Sequence, residues 1–206
     1  MTSATKALYG GFERFWHWTQ ALLILMLAVT GFEVHGSIEL LGYRQAVSIH
    51  NASAVGLMVL IAFAVFWHFT TGEWRQYIPT SHMMRAQLEY YVTGMFRDAP
   101  HPTKKSHANK LNPLQKVVYL GSKVLVLPVM VISGVLYQLH RYRGEALFGP
   151  KMLTAVAVMH TAGAFLLIAF ATSHIYLTTT GETPVSNLKA MLTGHEEEQG
   201  TVRGQA

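Results

Sequence analysis

Long apolar stretches alternate with polar ones along the chain, and four of them contain almost no charged side chain. They cover residues 15–32, 45–72, 117–140 and 152–181, and of these only the third contains a charged residue, Lys123. About 20 residues at 1.5 Å per residue cross the hydrocarbon core of a membrane, so each stretch can span it. A spanning segment must satisfy its own backbone hydrogen bonds, which requires a helix. The pattern predicts an all-α membrane protein, a bundle of four transmembrane helices at about residues 15–34, 46–71, 115–140 and 152–180.

The polar segments between and after these helices differ in character. Residues 83–96 have apolar residues at helical spacing and are predicted to form a helix along the membrane surface. Residues 98–109, which include two prolines and two histidines, are typical of an irregular loop. The four-helix domain is therefore assigned to residues 1–195, and residues 196–206 are predicted to be a disordered tail.

The amino-acid composition limits the kinds of cofactor and cross-link that the chain can contain. Half of the residues are hydrophobic and 13% are charged, against roughly a quarter charged in soluble domains. The chain has no cysteine, which excludes disulfides, iron–sulfur clusters, thiolate zinc sites and covalently attached c-type haem. Eleven histidines stand out among the few polar residues.

The basic residues indicate an orientation. The chain has a formal net charge of +5, and its lysines and arginines are concentrated in the two termini and in the connection between the second and third helices. Basic residues favour the cytoplasmic side, so both termini and the tail are predicted to be cytoplasmic, in a bacterial inner membrane. Because the positive charge follows the topology in this way, we expect no nucleic-acid partner.

Two histidines of the fourth helix have the spacing of haem ligands. His160 and His174 are fourteen residues apart, which corresponds to about 21 Å along a helix and to nearly the same face. One imidazole then lies near each membrane surface, as two stacked haems require. Without cysteine, such haems are b-type and are held by ligation and packing alone. A single intramembrane histidine is often a packing residue, but ionisable groups in a membrane are costly, so several at matched depths favour a functional role.

Each of these two histidines needs a partner at its own depth. His50 begins the second helix at the level of His160, and it is predicted to be the second ligand there. Two candidates lie near the level of His174, namely His17 in the first helix and His68 at the end of the second. His68 is about 27 Å from His50, one turn more than the 21 Å between His160 and His174. The depth argument therefore favours His17, with His68 as the alternative.

Several short motifs follow one another along the chain, from the first helix to the segment after the fourth. They are Arg14-Phe15-Trp16-His17-Trp18, Thr30-Gly31, Asn112-Pro113-Leu114-Gln115-Lys116, Ser133-Gly134, His160 with Gly163, His174 with Tyr176, and the segment 187–194. In this order the chain resembles the bacterial di-haem cytochrome b561-type subunits of formate dehydrogenases, nickel–iron hydrogenases and thiosulfate reductases.

The resemblance implies a cofactor arrangement and a quinone site. It implies that His17 and His174 hold the haem b nearer the cytoplasm, while His50 and His160 hold the one nearer the periplasm. It further implies a menaquinone site beside the first of these haems, bordered by Asn112, Gln115 and His174.

These expectations lead to a hypothesis about function. No nucleotide-binding motif is present, so the chain is predicted to need a separate electron donor or acceptor. We expect a quinone-reactive cytochrome b subunit of a respiratory oxidoreductase, with two haems b. It would anchor a periplasmic iron–sulfur or c-haem redox subunit and exchange electrons with the menaquinone or ubiquinone pool. The alternatives are a free-standing cytochrome b561 that passes electrons from a small molecule such as superoxide to quinone, and a structural anchor with incidental histidines.

Overall fold

The computed structural model describes residues 5–97, 99–100, 102–103, 110–143, 149–181 and 183–197. Its elements in chain order are β1 (Thr5–Ala7), α1 (Gly11–Val34), α2 (Tyr43–Thr71), a 3₁₀ turn (Glu73–Tyr77), α3 (Met84–Val92), a second 3₁₀ turn (Gly94–Arg97), α4 (Pro113–Gly121), a π-helical turn (Ser122–Val126), α5 (Leu127–Arg143), α6 (Pro150–Thr178), α7 (Ser186–Thr193) and β2 (His195–Glu197).

Within the described residues, four helices are long and apolar enough to cross a membrane, which confirms the predicted all-α membrane bundle. They are α1, α2, the third span formed by α4, the π-helical turn and α5, and α6. Each begins two to four residues before the predicted start. The difference arises because helix starts depend on capping rather than on hydropathy. Glu13 accepts a hydrogen bond from the Gly10 backbone N–H at 2.7 Å, and Pro150 occupies the first turn of α6.

The spans pair into two hairpins. Helix contacts are concentrated between α1 and α2 and between α5 and α6, whereas the two hairpins contact each other much less. Within the second hairpin, a Cβ at Gly163 would approach the Met130 sulfur to 2.6 Å, so this glycine allows α5 and α6 to pack closely. The two hairpins therefore behave as separate packing units that face each other.

A buried carboxylate organises the connection between α1 and α2. Glu33, near the end of α1, is 5% exposed, and its Oε1 accepts backbone N–H bonds from Leu40, Leu41 and Gly42 at 3.1, 2.6 and 2.6 Å. These donors lie immediately before α2. The ionised carboxylate stabilises the positive end of that helix and fixes where α2 begins.

The first and last described segments, residues 5–9 and 192–197, lie on the same side of the bundle, here called the terminal side, and they bind each other there. Strands β1 and β2 pair antiparallel, with Lys6 opposite Glu196. The backbone N–H groups of Leu8 and Tyr9 donate to the Gly194 carbonyl at 2.8 and 3.2 Å. The predicted disordered tail differs here, because residues 196 and 197 belong to β2; residues 198–206 lie outside the described residues.

A cluster of one buried lysine and two glutamates lies on the terminal side, beside the start of α1. Lys110 is 6% exposed, and its Nζ lies 2.5 Å from Glu13 Oε1 and 3.7 Å from Glu73 Oε2. The cluster fastens the end of the long connection to α1 and to the turn after α2. Within that connection the predicted surface helix corresponds to α3 and the following 3₁₀ turn; residues 98, 101 and 104–109 of the predicted loop lie outside the described residues.

Gly194 gives a direct test of the contact between the termini. Its φ is +87°, and a Cβ there would lie 2.8 Å from the Tyr9 carbonyl oxygen. We expect Gly194→Ala to lower the melting temperature of the solubilised protein more than Gly36→Ala does. Gly36 is a matched control, since its φ is +73° but nothing lies within 4 Å of its Cβ position. The control carries only the backbone strain, about 1 kcal/mol. Equal shifts in the two variants would show that the contact at Gly194 contributes nothing.

Candidate functional site

Four histidines form two facing pairs inside the bundle. The ring centres of His17 in α1 and His174 in α6 are 6.1 Å apart. The ring centres of His50 in α2 and His160 in α6 are 6.3 Å apart. The first pair lies toward the terminal side and the second toward the opposite side. The structure thus brings together the histidines that the sequence grouped by depth.

The ring spacing suits a metal ion held between two imidazoles. A histidine nitrogen binds a metal at about 2 Å, and the ring centre lies about 1 Å behind that nitrogen, so opposed ligand rings have centres about 6 Å apart. Both pairs have this separation within a few tenths of an ångström. A haem iron with two axial imidazoles therefore fits both pairs.

Hydroxyl groups fix the rings of the pair farther from the termini. Thr30 Oγ1 lies 3.0 Å from His50 Nδ1, and Ser133 Oγ lies 2.8 Å from His160 Nδ1. Each hydroxyl also donates its own hydrogen to the backbone carbonyl four residues earlier, at 2.6 Å. It can therefore only accept from the ring, so Nδ1 carries the hydrogen and Nε2 keeps its lone pair. This is the ring orientation of a metal-binding histidine.

A glycine follows each of these hydroxyl residues. A Cβ at Gly31 would lie 3.6 Å from His50 Cε1, and a Cβ at Gly134 would lie 3.6 Å from His160 Cε1. The dipeptides Thr30-Gly31 and Ser133-Gly134 therefore have the same role in the two hairpins: a hydroxyl orients the imidazole, and the glycine leaves space beside it. Both dipeptides are recognisable in the sequence, but nothing in the sequence connects them to the histidines.

The pair nearer the termini has different surroundings. The Tyr119 hydroxyl lies 2.9 Å from His174 Nδ1, and Phe170 stacks on the same ring with an interplanar angle of 9°. His17 Nδ1 is buried and has no hydrogen-bond partner among the residues that the structure describes. The third span thus orients His174 through a phenol, and no sequence signal pointed to Tyr119.

The alternative ligand, His68, is engaged elsewhere. It is 8% exposed, its Nδ1 donates to the Ala64 carbonyl at 2.6 Å, and its Nε2 lies 3.2 Å from the Tyr77 hydroxyl. Burial raises the pKa of Tyr77, so this hydroxyl stays protonated and donates to Nε2. The ring also packs edge-on against Trp16 and Trp67. Both ring nitrogens of His68 are therefore in use, and the ring that faces His174 is His17.

Asn112 and Gln115, the predicted quinone neighbours, form a capping box at the start of α4. Asn112 Oδ1 accepts the Gln115 N–H at 2.8 Å, and Gln115 Oε1 accepts the Asn112 N–H at 3.0 Å. The Asn112 amide also donates to the Tyr91 hydroxyl at 2.8 Å. The Asn-Pro-x-Gln pattern is itself a helix-start signal, which explains these residues structurally. Their contact with a quinone stays a prediction.

A cavity opens beside the end of α6. It measures about 460 Å³ and lies between the surface helix region and the last turn of α6; its lining includes Tyr90, Phe96, Tyr176 and Thr180. Tyr176 is two residues beyond His174. The cavity therefore combines aromatic walls with hydroxyl groups at the end of the helix that carries His174.

Comparison with known proteins identifies the family. Residues 8–194 match the model of the prokaryotic cytochrome b561 family. The chain is also 28% identical over 195 residues to YdhU of Escherichia coli (strain K12), a protein that is named as a cytochrome. The match covers 91% of this chain and 73% of that protein. No solved structure matches the chain. The chain belongs to the prokaryotic cytochrome b561 family, and is a multi-pass inner-membrane protein that binds haem b and transfers electrons.

Proposed function

We propose that the chain holds two haems b and carries electrons between the quinone pool and a redox partner on the side opposite its termini. The observation that carries the proposal is the pair of matched imidazole spacings, 6.1 and 6.3 Å. In the proposal His17 and His174 bind one haem iron, and His50 and His160 bind the other. When bound, each haem iron supplies one-electron redox chemistry.

The protein's own groups hold the proposed ligands in position. Thr30 and Ser133 keep the hydrogens of His50 and His160 on Nδ1, so each Nε2 points away from its hydroxyl partner. The Tyr119 hydroxyl, 2.9 Å from His174 Nδ1, holds the third ring by a hydrogen bond. Fixed ring orientation before ligation reduces the entropy that binding must overcome, and it prevents the rings from turning toward other acceptors.

We further propose that the quinone binds in the cavity beside α6. Its position at the end of a span gives access from the membrane, and its aromatic walls match a flat quinone ring. The hydroxyl group of Tyr176 can donate to a quinone oxygen, whereas the Thr180 hydroxyl donates to the Leu177 carbonyl at 2.9 Å. Asn112 acts indirectly in this proposal, since it holds Tyr91 next to Tyr90 at the cavity.

The charge distribution supports a proposed orientation. By the positive-inside rule we propose that the terminal side is cytoplasmic, which would put the quinone site near the cytoplasm and the partner on the periplasmic side. We propose an iron–sulfur or c-haem redox subunit as that partner. The free-standing quinone-reducing enzyme is the second candidate. Affinity purification from membranes separates them, because only the first function requires a periplasmic redox protein in the purified complex.

Haem counting tests the central proposal. We expect pyridine haemochrome analysis of the purified protein to give two haems b per chain, with two components in a redox titration. A yield of one haem per chain at full occupancy would contradict it.

Ser133 gives a test of ligand orientation. We expect Ser133→Ala to leave His160 Nδ1–H without its acceptor and to weaken retention of the corresponding haem by roughly tenfold. Ser122→Ala is a matched control, because the Ser122 hydroxyl also donates to the carbonyl four residues earlier but is exposed in the π-helical turn. The measurement is the haem-to-protein ratio after a timed incubation with a haem acceptor. Equal retention in both variants would remove the role of Ser133.

A further inference from the structure

Lys123 is a charged residue inside a membrane span, and it has no carboxylate partner among the described residues. Its Nζ lies 3.4 Å from the centre of the Tyr77 ring and 5.3 Å from the Trp16 ring. Among the described residues, no Asp or Glu oxygen lies within ion-pair distance of it. An intramembrane cation is costly unless its hydrogen atoms find acceptors, and aromatic faces offer it only part of that stabilisation.

The backbone explains how Lys123 reaches this place. Residues 122–126 form a π-helical turn, in which the Leu127 N–H donates to the Ser122 carbonyl. Pro128 follows directly and has no N–H to donate to Val124, so the regular helical bonding cannot continue there. The extra residue in this turn changes the direction of the side chains that precede it. The third span can thus direct Lys123 toward the other hairpin.

The ammonium group lies between the two hairpins. It belongs to the third span, Trp16 belongs to α1, and Tyr77 ends the 3₁₀ turn that follows α2. Trp16 is adjacent in sequence to the proposed ligand His17. Lys123 is also one turn along the third span from Tyr119, which contacts His174. The group is therefore placed at the edge of the histidine pair nearer the termini, inside the protein.

Hydrogen-bond donors outnumber acceptors around Lys123. Trp16 Nε1 is buried and has no hydrogen-bond partner among the described residues. The Tyr77 hydroxyl donates to His68 Nε2, and the Lys123 ammonium lies over the face of the Tyr77 ring rather than at its oxygen. An ammonium group and an indole N–H therefore share one region without an oxygen to bind. This combination indicates a site for an anion, since burial of unpaired donors is otherwise unfavourable.

We propose that Lys123 and Trp16 bind a propionate carboxylate of the haem held by His17 and His174. This inference rests on the proposed function, because it requires a haem at that pair. A carboxylate carried by a group between the hairpins reaches this region from within the bundle. A lipid phosphate would have to enter from outside it, and a quinone oxygen is uncharged. The carboxylate supplies the acceptors that the ammonium and the indole lack.

The expected effect of removing the cation is electrostatic. A positive charge near a haem favours its reduced form, so Lys123→Met should lower the midpoint potential of one haem and leave the other unchanged. It should also speed loss of that haem by roughly tenfold, the effect of one charge-assisted hydrogen bond. Lys123→Arg should preserve both properties. Lys116→Met is the control, because Lys116 lies at the same end of the third span and has no cation–π contact with an aromatic ring among the described residues.

The decisive experiment changes the ligand as well as the protein. Wild type and Lys123→Met, produced without haem, are reconstituted with natural haem or with its dimethyl ester, which has no propionate charge. We expect the difference in midpoint potential between the two proteins to disappear with the ester. A difference of the same size with the ester would overturn the proposal and leave a lipid phosphate or an indirect structural effect as the origin.

A second variant tests the same site independently, so the proposal can be judged even if Lys123→Met does not fold. Trp16→Phe keeps the ring and removes the indole N–H, and it should speed loss of the same haem when the natural cofactor is used. Two haems with wild-type potentials and retention in both variants would reject the propionate site while the proposed function stands. A wild-type protein without a haem at the His17–His174 pair would reject the proposed function itself.

Discussion

Replacing His174 with alanine is expected to remove one of the two low-spin haems and to leave the other, and His160→Ala is expected to do the reverse. The two residues face different partner rings, His17 and His50, at 6.1 and 6.3 Å. The two nitrogens that bind one iron from opposite sides are only about 4 Å apart. His160 and His174 are fourteen residues apart on one helix, about 21 Å, so they cannot bind the same haem iron. Redox-resolved visible spectra of each variant, with haemochrome analysis, make the measurement.

The matched control for these variants is His82→Ala, which changes an exposed histidine in the connection between the second and third spans. It should retain both haems. Loss of both components in each single variant, at normal levels in the membrane, would indicate a different pairing of the four histidines.

His17→Ala is expected to abolish the haem nearer the termini, whereas His68→Ala keeps both haems. The His17 ring faces His174, while both nitrogens of His68 are engaged by a backbone carbonyl and by Tyr77. Removal of His68 changes the surroundings of Trp16 and Tyr77, so a modest change in one midpoint potential is expected. Low-temperature spectra of the reduced proteins distinguish the two outcomes.

The opposite result is equally informative. If His68→Ala deleted that haem while His17→Ala retained it, α2 would supply the partners of both α6 histidines. The placement of α1 against α6 would then be wrong.

The spans and the grouping of the histidines were accessible from the sequence because both follow from simple periodicity. A hydrocarbon core requires uncharged stretches of fixed minimum length, and the helical rise converts residue spacing into depth. The same arithmetic separates His17 from His68, since an excess of one turn cannot be absorbed by a rigid helix. Depth, however, says nothing about ring orientation, so the hydroxyl partners of His50 and His160 needed the structure.

Other features depended on bonding that periodicity does not describe. Asn112 and Gln115 resemble binding residues in sequence, but their polar atoms bond to each other's backbone and to Tyr91. The N-cap pattern was a signal for this role. Lys123 shows the opposite case. Its direction depends on a π-helical turn beside Pro128, and a regular helix would give the wrong neighbours.

The pairing of β1 with β2 also affects how the molecule is made. Strand β1 is synthesised before the four spans, and β2 is synthesised after them. The Gly194 carbonyl that accepts the Leu8 and Tyr9 N–H groups is therefore unavailable during most of synthesis. A nascent chain halted after the third or fourth span keeps the start of α1 open, with Arg14 lacking its bond to Leu192. Pairing of β1 with β2 is therefore a late event in synthesis, and it separates chains that have reached β2 from those that have not.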